Sequence, residues 1–264
     1  MITTDFVPGS PCWIELSSPD ASASAAFYRE LFGWEVVPTG PESVGYWMLS
    51  LDGTIVAGLG PVMGESERPA WAVYFADPDV DDTVLAVERL GGTLVVEPFD
   101  VLGFGRTAQF TDPQSGYLGT WQAATFQGFD AVDRPGTLCW VELWTPDAAG
   151  AREFYGELFK WGFTDFALPG EAGTYTILTP AGLGQERAHG GIMQVEPDGL
   201  AATGGAADWH PVFAVENCDA AVERVRSAGG QVYMGPESTP GVGRLAVCAD
   251  VFGSGFVLLA PSPM

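Results

Sequence analysis

The feature that most constrains this chain of 264 residues is an internal repeat. Residues 12–16 (Cys-Trp-Ile-Glu-Leu) recur as residues 139–143 (Cys-Trp-Val-Glu-Leu), and residues 27–32 recur as residues 154–159 at the same offset of 127. Further along the chain the offset grows to 138, so the second copy carries about eleven more residues. Duplication on this scale predicts two similar domains rather than one large domain.

Each half also contains a shorter pattern that occurs twice. In the first half, an apolar strand at residues 12–16 precedes Asp20, which suits a helix N-cap. Ala23, Phe27 and Leu31 then follow at a spacing of four, which places them on one face of a helix. Further strands in this half are predicted at residues 45–51, 53–59, 71–76, 93–97, 106–111 and 117–122.

A second helix is predicted after the strand at 71–76, with Val84, Val87 and Leu90 on its inner face. The Gly91-Gly92 pair suits a left-handed cap at the end of this helix. The order βαβββ is therefore expected four times in the chain. It predicts an α+β fold in which mixed sheets carry helices on one face.

The charge balance excludes several classes of partner. The chain has 34 acidic and 11 basic side chains, a net charge of −23, and Lys160 is its only lysine. Such a surface repels phosphate backbones and anionic headgroups, so neither nucleic-acid nor membrane partners are expected. Without a long apolar run or a basic leader segment, a cytoplasmic protein is expected. The four cysteines include no Cys-x-x-Cys pair, so buried, reduced thiols are expected.

Four motifs recur in the same order in both halves. They are a strand followed by Pro-Asp, a helix ending in Phe-Tyr-x-Glu-Leu-Phe-x-Trp, a Gly-Gly helix stop and a Gly-x-Gly-Arg strand. This series, with the Asp-Pro-Gln-Ser-Gly turn at 112–116, resembles the vicinal oxygen chelate superfamily, which includes glyoxalases, bleomycin resistance proteins and extradiol dioxygenases. The first repeat is especially similar to a two-domain actinobacterial subgroup that includes glyoxalase-like proteins and hydroxylases of aromatic polyketide pathways.

The resemblance implies tandem glyoxalase/bleomycin-resistance domains, at residues 1–124 and 136–264, joined by a linker at 125–135. Each domain would fold two βαβββ units into a curved sheet that encloses a cup for a small molecule. A monomer with its two halves packed together, or a weak homodimer, is expected.

Enzymes of this superfamily bind a divalent metal through side chains on four strands, and three of these positions can be aligned here. They are Trp13, Ala72 and Gly119 in the first half, and Trp140, His210 and Val257 in the second. Indole nitrogen carries its proton and cannot ligate a metal, and a lone imidazole does not hold a catalytic ion. The sequence therefore predicts that neither half uses a metal or another cofactor, and a metal-dependent lyase or dioxygenase is disfavoured.

Period-two alternation places candidate site residues on the first strand of each half. Trp13, Glu15 and Ser17 share one face of this strand in the first half. The equivalent residues of the second half are Trp140, Glu142 and Trp144. If these faces line the cups, Glu15 and Glu142 are candidate catalytic bases and the other four are candidate ligand-binding residues. The alternative is a glutamate that is solvated at the rim or already paired.

His210 is the best single candidate for acid–base chemistry, because the strand alignment directs it into the second cup. A structural, hydrogen-bonded histidine is the alternative. His189, in a Gly-flanked loop, is predicted to be a surface residue, although this loop could also cover the mouth of the cup. Arg106 and Arg244 are candidates to bind an anionic ligand, and the alternative is that they neutralise carboxylates of the protein itself, namely Glu15 and Glu142.

Together these features predict a metal-independent small-molecule protein whose aromatic cup binds a hydrophobic, ring-containing metabolite. By resemblance, it could be a hydroxylase or related oxidoreductase of antibiotic biosynthesis. A non-catalytic protein that sequesters a drug or metabolite is the alternative. Because the second half has His210 and Trp144 where the first has Ala72 and Ser17, the second cup is expected to be the more functional one.

Overall fold

The computed structural model describes residues 1–40, 45–62, 68–168 and 173–262. The first half contains β1 (Pro11–Ser18), α1 (Ala21–Phe32), β2 (Glu35–Pro38), β3 (Trp47–Leu51), β4 (Thr54–Pro61), β5 (Ala70–Ala76), α2 (Val80–Arg89), β6 (Thr93–Val101), β7 (Gly105–Thr111) and β8 (Tyr117–Ala123). The second half contains β9 (Leu138–Thr145), α3 (Ala148–Leu158), β10 (Gly162–Ala167), β11 (Thr174–Thr179), β12 (Gly190–Gln194), β13 (Asp208–Ala214), α4 (Cys218–Ser227), β14 (Gln231–Thr239), β15 (Gly243–Ala249) and β16 (Gly255–Pro261).

The strands form two eight-stranded sheets with the same order, which confirms the predicted α+β fold of four βαβββ units. The first sheet runs β2-β3-β4-β1-β5-β8-β7-β6, and the second runs β10-β11-β12-β9-β13-β16-β15-β14. Both sheets are mixed, since β1 pairs with β4 and β9 with β12 in parallel, whereas β3 and β4 are antiparallel. The sequence did not predict β2, a four-residue edge strand that ends at Pro38 and is largely exposed.

The helix ends follow the predicted capping chemistry. The Asp20 side chain accepts a hydrogen bond from the backbone N–H of Ala23 at 3.0 Å, so it satisfies a donor that the first turn of α1 leaves free. Of the three residues predicted to share a face of α1, Phe27 and Leu31 are buried and Ala23 is partly exposed. Gly91, after α2, has a φ of +89°, which is the left-handed conformation that this position requires and that glycine adopts without strain.

Contacts between Cα atoms divide the chain into two compact units, and each unit combines segments of both halves. Unit 1 consists of Met1–Trp13, Val73–Gly128 and Trp140–His210, and unit 2 consists of Ile14–Ala72, Phe129–Cys139 and Pro211–Met264. Each unit therefore holds one βαβββ module from each half of the sequence. The domain limits at residues 124 and 136 stay a prediction. Within the described residues, no helix combines the length and the apolarity needed to cross a membrane.

A buried tyrosine–aspartate hydrogen bond lies at the centre of unit 1. The Tyr155 hydroxyl on α3 donates to Oδ2 of Asp112 at 2.9 Å, and it accepts from the indole Nε1 of Trp209 at 3.0 Å. The other carboxylate oxygen of Asp112 accepts the backbone N–H groups of Gln114 and Gly116, which closes the turn between β7 and β8. Burial raises the pKa of both Asp112 and Tyr155.

Unit 2 contains the same arrangement at equivalent positions of the repeat. The Tyr28 hydroxyl donates to Oδ2 of Asp250 at 3.3 Å and accepts from Nε1 of Trp71 at 2.9 Å. Oδ1 of Asp250 accepts from the backbone of Phe252 and Ser254, both at 2.9 Å. In each unit the tyrosine belongs to one half of the sequence and the aspartate to the other, so this bond joins two modules.

The Tyr155→Phe substitution is expected to lower the free energy of unfolding by about 1–3 kcal/mol, because it leaves Oδ2 of Asp112 and the Trp209 N–H buried without a partner. Urea denaturation followed by tryptophan fluorescence measures the change. Tyr233→Phe is the matched control, since Tyr233 is 59% exposed. Equal stability of the two variants would contradict the importance of the buried bond.

Candidate functional site

The candidate site lies in unit 1, on one face of strand β9. Trp140, Glu142 and Trp144 are partly exposed on this face, whereas Val141 and Leu143 are fully buried on the opposite face. Alternation along an extended strand produces this separation, because successive side chains point to opposite sides of the sheet. The structure therefore places three of the candidate residues next to one another.

Both carboxylate oxygens of Glu142 accept hydrogen bonds from aromatic side chains. Oε1 accepts from the hydroxyl of Tyr175 at 2.7 Å, and Oε2 accepts from Nε1 of Trp144 at 3.0 Å. The Tyr175 hydroxyl in turn accepts from Nε1 of Trp140 at 2.8 Å. The glutamate is thus held by a chain of donors that starts at one indole and ends at another.

The sequence did not predict Tyr175 as a site residue. It lies on β11, and β12 separates this strand from β9. The register of β12 against β9 places Gly191 opposite Glu142, and a Cβ at Gly191 would overlap the Tyr175 ring. The glycine therefore leaves the space that this ring occupies. Burial raises the pKa of the Tyr175 phenol, and the charge of Glu142 raises it further, so Tyr175 stays protonated and can donate to Glu142.

His210 extends this aromatic face onto β13. Its ring lies against that of Trp144, with the centroids 4.4 Å apart. Nε2 is 3.6 Å from Oδ2 of Asp208, a distance beyond ordinary hydrogen-bond length, and buried Nδ1 has no hydrogen-bond partner among the described residues. Since His210 is only 7% exposed, Nδ1 is a buried polar atom rather than one that faces solvent.

In unit 1, strands β5, β7 and β8 of the first half carry a second group of aromatic and polar side chains. Tyr74, on β5, covers Gly119, where a Cβ would overlap the tyrosine ring. Gln109 donates from Nε2 to the Tyr74 hydroxyl at 2.6 Å, and its carbonyl oxygen accepts from the hydroxyl of Tyr117.

In unit 2, Glu15 lies opposite Gly58 in the β1–β4 register and is partly exposed. Ser17, on the same strand, is also partly exposed.

The two candidate arginines pair with carboxylates at helix N-termini. Arg106 forms ion pairs with Asp81 at 2.9 Å and with Asp100 at 3.0 Å. Arg244 donates to Asp219 at 2.6 Å, and Asp81 and Asp219 lie in the first turns of α2 and α4. Hydrogen bonding to the arginine lowers the pKa of each of these two carboxyls. Both arginines therefore pair within the protein, but the described partners are these aspartates and not the Glu15 and Glu142 that the sequence suggested.

The prediction that His189 is a surface residue is wrong, since the side chain is only 1% exposed. Its backbone N–H donates to the carbonyl of Leu178, and its carbonyl accepts from Val141, so the residue is fixed at the start of β12. The ring then packs against Trp161, with the centroids 5.2 Å apart. Burial, with smaller effects of the chain amino terminus and of Arg187, lowers the pKa of His189 to about 3.

This burial predicts a pH dependence of stability. Between pH 6.5 and about 3 the unfolded chain binds a proton at residue 189 that the folded chain does not. The free energy of unfolding should therefore fall as pH falls below 6.5, with a contribution from His189 on the order of 3–5 kcal/mol near pH 3. His189→Leu should flatten this dependence in urea denaturation series at pH 7, 6, 5 and 4. An unchanged slope would show that His189 titrates normally.

The side chains at the metal-ligand positions do not fit a divalent ion. Gly119 lies beneath the Tyr74 ring, and Val257 pairs with another apolar residue, Val212, in the β13–β16 register. The positions opposite Glu15 and Glu142 on β4 and β12 are both glycines. Within the part of the chain that the structure describes, no group of three or more His, Cys, Asp or Glu side chains is placed to hold a metal.

Treatment with EDTA is accordingly expected to leave both ligand affinity and thermal stability unchanged, and elemental analysis of protein purified without chelators should find less than stoichiometric divalent metal. Zinc, manganese and iron are the ions to measure. A stoichiometric ion whose removal lowers the melting temperature would contradict the conclusion that these side chains do not fit a divalent metal.

Comparison with protein families agrees with the repeat and the sheet topology. The model of the glyoxalase/bleomycin resistance protein/dioxygenase superfamily matches residues 12–118 and again residues 137–258. The chain belongs to this superfamily. The resemblance inferred from the repeated motifs is thereby confirmed.

Two relatives in this superfamily match the chain over nearly its whole length. DnrV of Streptomyces peucetius, named an anthracycline biosynthesis protein, is 36% identical over 270 residues, which cover 96% of this chain and 94% of DnrV. CFP32 of Mycobacterium tuberculosis is 35% identical over 267 residues, which cover 98% of each protein.

Solved structures of superfamily members show the same fold at much lower identity. The 2,3-dioxygenase LapB from Pseudomonas sp. KL28 has a TM-score of 0.62 at 14% identity, covering 97% of this chain and 94% of LapB. Homoprotocatechuate 2,3-dioxygenase from Brevibacterium fuscum has a TM-score of 0.65 at 16% identity, covering 100% of this chain and 85% of the dioxygenase chain. At these identities the likeness concerns the fold alone.

Proposed function

We propose that this superfamily member binds a hydroxylated, planar aromatic metabolite on the β9 face of its second half and acts on it without a metal. The observation that carries the proposal is the position of Glu142 between the Tyr175 hydroxyl and the Trp144 indole N–H, at 2.7 and 3.0 Å. A carboxylate fixed by aromatic donors on an aromatic surface combines polar and apolar recognition of one ring.

The apolar part of this recognition comes from the rings around the carboxylate. Trp140 and Trp144 are partly exposed on the β9 face, and His210 packs against Trp144. Large, flat side chains offer extensive contact area to a planar ligand and favour stacked or edge-on packing. A ring system lying on this surface would place its substituents near Glu142.

The polar part comes from the remaining acceptor capacity of Glu142. An ionised carboxylate has about four lone-pair sites, and the described contacts with Tyr175 and Trp144 use two of them. A ring hydroxyl of the ligand can therefore donate to Glu142. Glu142 is the proposed base that withdraws this proton, and His210, whose ring packs against Trp144, is the proposed second proton carrier.

The name of a relative supports the substrate class. DnrV is named an anthracycline biosynthesis protein and matches 96% of this chain. We extend this to the present protein as a role in the biosynthesis of an aromatic antibiotic, in which proton removal from the ring hydroxyl of an anthrol, the enol form of an anthrone, lets dioxygen oxidise the ring to the quinone with release of one water. The second half carries the chemistry in this proposal, and the Glu15 face is its inactive counterpart.

Replacement of the carboxylate tests the proposal directly. Glu142→Gln is expected to raise the Kd for 1,8-dihydroxyanthraquinone about 10- to 100-fold, since a hydrogen bond to a charged group contributes about 1.5–3 kcal/mol. Isothermal titration calorimetry measures the change. Glu15→Gln, at the equivalent position of the first half, is the matched control and should bind like the wild type. Equal losses in both variants, or none in Glu142→Gln, would contradict the assignment.

Turnover separates catalysis from sequestration. If the wild type converts 1,8-dihydroxyanthrone to the anthraquinone in air, with dioxygen as the oxidant and water as the second product, and Glu142→Gln and His210→Ala lose this conversion, the residues act as proposed. Stoichiometric binding without product would instead favour a protein that sequesters its ligand. Mass spectrometry of the extracted ligand distinguishes the two results.

A further inference from the structure

Asp77 carries a buried carboxyl group in unit 1, between the end of β5 and the start of α2. The residue is only 7% exposed, and Oδ1 accepts the backbone N–H of Asp79 at 3.0 Å. Its other oxygen, Oδ2, is buried and has no hydrogen-bond partner among the described residues. The same is true of Oγ1 of Thr120, a fully buried residue on β8. Two buried oxygens therefore keep unused hydrogen-bonding capacity.

The surroundings of the Asp77 carboxyl favour its charged form without supplying a cation. Burial raises the pKa of this group, whereas hydrogen bonding to the Asp79 backbone and the nearby hydroxyls of Thr83 and Thr120 lower it. The charged group that contributes, among the described residues, is the Asp79 carboxylate, which raises the pKa further. A buried charge is normally paired or bound to a metal, so this carboxylate calls for a positive partner.

The second half has the same backbone at this place but no polar side chains. The N–H of Asp77 donates to the carbonyl of Trp121 at 2.9 Å. The N–H of Val215, the equivalent of Asp77, donates to the carbonyl of Leu259 at the same distance. The equivalents of Asp77, Thr83 and Thr120 are the buried residues Val215, Ala221 and Leu258. Apolar side chains thus suffice for this part of the fold, and the polar cluster is not required to build it.

The cluster lies on the helix side of the first sheet. Thr120 is opposite Ala108 in the β7–β8 register, and Ala108 packs against α2. The residue before Thr120 is Gly119, which lies beneath the Tyr74 ring on the other side of the sheet. The cluster is therefore separate from the position at which the superfamily places a metal ligand.

We infer that the side-chain oxygens of Asp77, Thr83 and Thr120 bind one monovalent cation, sodium or potassium. Donor sets made of oxygen alone favour hard cations. The single carboxylate sets the charge, because one positive charge neutralises it, whereas a divalent ion would leave a net charge buried. The inference goes beyond the proposed function, since it involves neither Glu142 nor His210, and either proposal can fail without the other.

The melting temperature of the full-length protein in NaCl, KCl and choline chloride, at one ionic strength, tests the inference. All three salts screen the charge of −23 to the same extent, and choline is too large for a buried oxygen site. At a concentration about tenfold above Kd, the bound ion should raise the melting temperature by about 2–5 °C relative to choline chloride. The larger rise, in NaCl or in KCl, identifies the preferred ion.

The double variant Asp77→Val/Thr120→Leu copies the second half and should melt at one temperature in all three salts. Asp77→Asn carries the same test if the double variant does not fold. Asp79→Asn is the matched control, because it removes a neighbouring charge, copies the N-cap Asn217 of α4 and should retain the difference between salts. Equal melting temperatures of the wild type in the three salts would overturn the inference. So would a difference that persists after Asp77 is replaced.

Discussion

The buried bond from a tyrosine hydroxyl to an aspartate is the interaction on which both compact units depend. Tyr155 donates to Asp112 in unit 1, and Tyr28 donates to Asp250 in unit 2. Each aspartate also accepts two backbone N–H groups of its own turn, so one carboxylate fixes a β-turn and a helix from the other half of the sequence. Such fully engaged polar groups specify one arrangement, since any other packing would leave a buried carboxyl without partners.

This shared scaffold leaves the open faces of the sheets free to differ. The same register places a glycine opposite Glu15 on β4 and opposite Glu142 on β12. The two faces therefore differ in their side chains and not in their backbone. The second half has His210 and Trp144 at the positions of Ala72 and Ser17 in the first half. In unit 1, the first-half strands carry Tyr74 over Gly119 and Phe126 over Trp13, so their aromatic surface is covered by the chain itself.

The repeat, the helix caps, most strands and the inward faces were all predictable, because each depends on residues close together in the sequence. Asp20 and Gly91 act within a single helix turn, and the alternation around Glu142 is a property of one strand. Tyr175 was not predictable, since its contact with Glu142 depends on the register of an intervening strand. His189 was misjudged because glycine-flanked loops are usually exposed, whereas here two backbone hydrogen bonds turn the ring inward.

A tryptophan at position 140 limits what this face of the sheet can do chemically. An imidazole or carboxylate at the position of Trp140 would offer a lone pair to a cation, whereas an indole offers only a proton. Here that proton is donated to the Tyr175 hydroxyl, which donates in turn to Glu142. Trp140 is therefore the first donor of a hydrogen-bond chain that ends at Glu142. The donor chain thereby fixes the orientation of the Glu142 carboxylate on the β9 face.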